Sequence, residues 1–110
     1  MAAKGELRVF LNVESLQPQF AAYMGTPTRA RGYPPYAGQH ALIIEVAPGL
    51  MIERVMDLAL KADPDLEPGI LFVERQFGIL EIHGGDREKL LTAGRAVLKG
   101  MGLAEGDQLV

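Results

Sequence analysis

The sequence contains no cysteine. That excludes a disulfide frame, a thiolate metal site and a thiol nucleophile. Ser15 is its only serine, and no G-x-S-x-G surrounds it. The two histidines, His40 and His83, stand in no H-x-x-x-H or H-E-x-x-H spacing. Apolar runs fall far short of the ~20 residues of a membrane span, and the N-terminus shows no signal-peptide core. A cytoplasmic protein with no membrane partner is therefore expected. The 11 Lys and Arg residues are scattered and outnumbered by 14 Asp and Glu, for a net charge of −3. This argues against a nucleic-acid partner or an anionic surface.

What is present is the mix of an ordinary globular protein: 110 residues, 48% hydrophobic and 23% charged. A single domain of this size buries only ~60–70% of its unfolded surface, so help from partner subunits is expected.

"LRVFLNV", Leu7 to Val13, alternates as a strand does, with Leu7, Val9, Leu11 and Val13 on one side and Arg8, Phe10 and Asn12 on the other. Ordering its seven residues costs roughly 7–14 kcal/mol of backbone entropy. Burying four aliphatic side chains returns roughly 6–12 kcal/mol. The strand therefore needs a backbone partner, either in this sheet or in other chains. "QFAAYMG" is a second short apolar run, and the Pro/Gly-rich stretch Gly25 to Gln39 reads as an irregular loop rather than a helix.

"HALIIEVAP" is nearly continuous in apolar residues, as expected of a strand buried on both faces. Ile52, Val55, Met56, Ala59 and Leu60 then form a helical stripe, with an Asp57–Lys61 pair available at i,i+4. "DPDLEPG" breaks that helix. "LFVERQFGILEIHGGD" reads as a hairpin, with Leu80 and Ile82 on one face and Ile79 and Glu81 on the other. Asp86 sits where an N-cap is wanted, before a helix carrying Leu90, Leu91, Val97, Leu98 and Met101, with Gly94 marking close packing or a weak point. "LAEGDQLV" is a tail with room for a final strand. The order predicts an α+β fold: an antiparallel sheet with two main helices on one face.

No catalytic constellation emerges. The plain reading of each histidine is structural. "HGGD" matches no phosphate loop, and Asp86 would repel an anion there, so it reads as a helix cap. Glu74 and Glu81 are seven residues apart on a bent hairpin, with nothing to make them converge. No metal or other cofactor is expected.

"ALIIEVAPGLMIERVMDLALKAD" followed by "GILFVERQFGILEIHGGDREKLLTAGRAVLKGMG" resembles the bacterial microcompartment shell domain, a ferredoxin-like fold. The chain order resembles its circularly permuted hexameric subgroup, which includes the ethanolamine-utilisation S and propanediol-utilisation U proteins. In that subgroup the usual last strand comes first. "FAAYMGTP" is similar to the transferred strand, and "LRVFLNV" lies where those proteins carry an extra N-terminal strand. The resemblance divides the chain into an extension at 1–18 and a permuted shell domain at 19–110.

It implies a structural, non-enzymatic subunit of a microcompartment shell. The expected partners are its own copies in a homo-hexamer, other shell proteins and, further off, encapsulated enzymes. The hairpin tip, Glu74, Arg75, Gln76, Phe77 and Gly78, would line a pore on the sixfold axis. Leu7, Val9, Leu11 and Val13 would build an axial barrel capping or narrowing it. Lys61 would lie at the hexamer edge, meeting a neighbour near Thr26 and Pro27. The Pro/Gly-rich Arg29 to Tyr36, a longer "DPDLEPG" and a shortened final strand depart from that pattern. Two rival readings stand beside it: a ferredoxin-like regulatory domain binding a metabolite at a dimer interface, and a small enzyme using His83 with Glu81 or Asp86.

Overall fold

The computed structural model describes residues 6–28 and 33–102, apart from the side chains of residues 26–28. Seven elements follow one another: β1 (Glu6–Val13), α1 (Pro18–Thr28), β2 (His40–Ala47), α2 (Met51–Ala62), β3 (Glu67–Val73), β4 (Gly78–Gly84) and α3 (Arg87–Gly100). The strands form one antiparallel sheet in the order β1-β2-β4-β3. The possible final strand in "LAEGDQLV", and the first half of the Arg29 to Tyr36 stretch, lie outside the described residues.

One face of the sheet is the main core. Leu42, Ile44 and Val46 of β2 and Leu80 and Ile82 of β4 meet Ile52, Val55 and Ala59 of α2 and Leu90, Ala93, Val97 and Leu98 of α3. The α2 stripe is the one expected, the α3 stripe takes Ala93 in place of Leu91, and the α+β fold with two main helices is the observed one. Asp86 caps α3 through the backbone N–H groups of Glu88 and Lys89. At Gly94 a side chain would meet the Phe10 ring 2.9 Å away and Leu42 at 3.3 Å, so close packing is the reason for that glycine.

Two expectations at the N-terminal end are corrected. "QFAAYMG" is not a strand but the body of α1. Pro18 suits a first helical position, its missing N–H being one the helix leaves free anyway. The Gln17 side chain accepts the Phe20 N–H at 2.9 Å, and Ala21 and Met24 are buried. α1 covers the second face of the sheet, where Leu16 and Ala21 pack with Ala41 and Val13.

The second correction concerns β1. Its stripe is not Leu7, Val9, Leu11 and Val13 against Phe10. A register shift between Leu7 and Val9 changes the alternation. Leu7, Phe10 and Asn12 pair with Val46, Ile44 and Leu42, so they share the core face, and Phe10 is 5% exposed. Val9, Leu11 and Val13 fall on the α1 side, opposite Glu45, Ile43 and Ala41. The backbone partner that the strand requires is β2 of its own chain, so residues 6–13 belong to the same sheet as the rest.

Candidate functional site

β3 and β4 are joined by the turn Glu74–Phe77, closed by the Val73–Gly78 pair and a 2.8 Å bond from the Glu74 N–H to the Phe77 carbonyl. Behind it runs the β2–α2 connection. The Gly49 N–H donates to the Arg75 carbonyl at 3.2 Å. A Cβ at Gly49 would collide with the Glu74 carbonyl, and one at Gly78 with Gly49 and Ile52. Two glycines let two backbones touch, so the turn is braced by main chain.

That bracing leaves the side chains free. Glu74, Arg75 and Gln76 are exposed. Neither Glu74 nor Arg75 has an ion-pair partner among the described residues. Phe77 is half-buried and its ring lies 5.9 Å from that of Phe72. Phe72 is 45% exposed and stands between exposed Leu71 and Val73. β3 is an outer strand, so an apolar run borders an unpaired backbone edge. The sequence reading missed this edge. Its signal was the apolar run Ile70 to Val73 after Pro68, a residue tolerated in outer strands.

At the other end of the hairpin, Glu81 and His83 share the sheet face opposite the core. His83 Nδ1 and Glu81 Oε2 are 2.7 Å apart, and the residues are 0% and 1% exposed. Gly69 provides the room, since a Cβ there would collide with Glu81 Oε1. Glu67 Oε1 lies 3.8 Å from His83 Nε2. Glu81 thus pairs with His83 and not with Glu74, while Asp86 faces elsewhere as the cap of α3. A pair closed to solvent holds the sheet together but gives a substrate no approach.

Lys61 ends α2, its side chain 75% exposed and paired with Asp57 at 2.9 Å. Thr26 and Pro27 lie in the last turn of α1, and their side chains are outside the description. Among the described residues no three His, Asp or Glu side chains are grouped to hold a metal ion. No described helix is long and apolar enough to cross a membrane.

A four-stranded sheet backed by two helices, with a braced, charged hairpin tip and a bare apolar edge, is an architecture this chain shares with microcompartment shell proteins of known structure. The chain belongs to the CsoS1D N-terminal domain family, whose model matches residues 7–107. It is 42% identical over 104 residues to the carboxysome shell protein CcmP of Synechococcus elongatus, covering 94% of this chain and 47% of CcmP. Its fold is similar to the double-ringed trimeric shell protein MSM0271 from the RMM microcompartment, with a TM-score of 0.85 and 58% identity, covering 94% of this chain and 48% of that one. It is equally similar, TM-score 0.85 at 45% identity, to the fused permuted hexameric shell protein MSM0275, covering 94% of this chain and 50% of that one. The chain spans under half the length of the curated relatives it matches.

Proposed function

We propose that the chain is a structural wall subunit of a bacterial microcompartment, taking one of six places in a ring whose hairpin tips meet at the axis. The observation that carries this is the tip itself: a turn braced by Gly49 and Gly78, presenting Glu74 and Arg75 with no ion-pair partner among the described residues. Six such turns would set each Glu74 beside a neighbour's Arg75. The carboxylate and guanidinium would then find partners between subunits. Leu71, Phe72 and Val73, all on the outer strand of the hairpin, would be covered by the adjoining subunit. The relatives' greater length fits such a ring: six single domains and three fused pairs present the same number of tips.

On this reading the pore is set by the tips. β1 already pairs with β2 along one edge, so any capping by N-terminal strands would have to use its outer edge. Lateral partners would be further shell proteins, with Lys61 of α2 and the last turn of α1 at the ring's edge. Native mass spectrometry of the chain tests the ring. A species near six times 11.9 kDa is expected. A monomer or dimer only, across concentration and salt, would overturn it in favour of the regulatory-domain reading.

A further inference from the structure

Phe10 and Asn12 of β1, Leu42 of β2 and Leu91, Gly94, Arg95 and Leu98 of α3 line a groove of about 60 Å³ on the core side of the sheet. Gly94 lets α3 come down onto the Phe10 ring, because a Cβ there would meet it at 2.9 Å. The groove takes the end of one aliphatic side chain and is far smaller than the roughly 300 Å³ at which metabolite pockets begin. On its wall, the Asn12 Oδ1 is shut from solvent and has no hydrogen-bond partner among the described residues. A buried acceptor without a donor is costly, so the wall is unfinished in the single domain.

The opposite edge of the sheet carries side chains that fit. In a closed ring each copy meets the next through two different patches, and β1 and β3 are the outer strands on the two flanks. Rotation keeps every residue at its distance from the axis, so residues that touch must lie at one level along the sheet. Leu71, Leu80, Ile44 and Phe10 form such a row, from β3 through β4 and β2 to β1. Residues directly opposite in a sheet share a face. Leu71 therefore lies on the side of Leu80 and Phe10, the side on which the groove opens. Val73, two residues on, shares that side. Both are exposed in the single domain. An outer strand also presents outward N–H groups at alternate residues, the kind of donor that Asn12 lacks.

We infer that the groove between β1 and α3 seats Leu71 of an adjoining copy, with Val73 beside it. Each contact in the ring then joins the β3 edge of one subunit to the β1–α3 groove of the next. This contact presupposes the proposed ring and names the surface that closes it.

The chain has no cysteine, so introduced thiols report contacts without background. Leu71→Cys and Leu91→Cys, combined in one chain, are mildly oxidised and run on a denaturing gel. The two edges of one sheet stand about 14 Å apart, three strand spacings, beyond the ~7 Å that a disulfide spans, so a bond between the thiols joins two copies. A ladder reaching six chains is expected, with neither single variant linking. Native mass of the same protein under reducing conditions reports the ring separately. A six-chain mass without a ladder would overturn the groove and leave the ring standing. So would Leu71→Cys linking to itself, which means that like edges meet. A wild-type chain that stays monomeric would overturn both. Where the double variant does not assemble, Leu91→Glu decides. Leu91 is half-buried, so its unfolding in urea should stay close to the wild type's. The six-chain species should fall about tenfold or more at equal concentration, as a carboxylate forced into an apolar contact requires. An unchanged six-chain fraction would overturn the groove.

Discussion

The β3–β4 hairpin carries an acidic and a basic side chain at each end, and the two ends use them in opposite ways. At the base, Glu81 and His83 are closed from solvent and bound to each other at 2.7 Å. At the tip, Glu74 and Arg75 are exposed, and the turn is held by backbone contacts around Gly49 and Gly78. Side chains that brace a fold are not available to a partner. Where main chain does the bracing, the charges stay available for something outside the chain.

The largest effect that would break this comparison is at the base. Glu81→Ala leaves His83 Nδ1 buried without its partner and is expected to lower stability by up to about 3 kcal/mol. Urea unfolding measures it. The double variant Glu81→Met, His83→Leu removes both polar groups and should recover most of the loss. A single variant within about 1 kcal/mol of the wild type would mean that the pair does not hold the sheet.

Next comes the brace. Gly49→Ala places a methyl against the Glu74 carbonyl, which is backbone and cannot swing aside. The expected loss is about 1–3 kcal/mol, as for overpacking elsewhere. Unlike the change at Glu81, it should also disturb the tip, so the ring should weaken in native mass measurements beyond what the stability loss explains. A ring unchanged at full stability would show that the turn tolerates movement.

Phe72→Ala sharpens the contrast at the edge. Phe72 is 45% exposed, so the folded domain should lose only about 1 kcal/mol, mainly its ring contact with Phe77. The assembled mass should nevertheless fall toward the single domain. Unaltered mass would place the subunit contact elsewhere.

The parts of the molecule that could be read from the sequence are those in which one local rule acts alone. The α2 and α3 stripes, the Asp86 cap and the Leu80/Ile82 face follow period and capping, and no distant contact opposes them. The errors lie where register or environment decides. In β1 a single irregularity after Leu7 puts Phe10 into the core, and side-chain alternation cannot reveal it. In α1, Gly25 and Pro27 argue for a loop, yet the Pro18 start and the burial of Ala21 and Met24 prevail. At the site, the tip residues could be singled out as a charged turn holding a bare phenyl ring. Phe72 as its partner, and Gly49 as its support from another loop, are products of tertiary packing.

The smallest effect concerns Lys61. Its ammonium is already matched by Asp57 one helical turn earlier, and both side chains are mostly exposed, at 75% and 58%. Such a pair contributes only about 0.3–0.5 kcal/mol to a helix. Lys61→Ala should therefore leave unfolding almost unmoved and the ring mass unchanged. A role at the ring's edge would show in lateral assembly instead. There Lys61 must exchange Asp57 for a neighbour's acceptor, and the cost of breaking the local pair is small enough to permit it. Electron microscopy of assembled sheets separates the two cases. Loss of sheets with intact rings assigns Lys61 to the edge, whereas sheets as extensive as the wild type's leave it a solvated lysine at the end of α2.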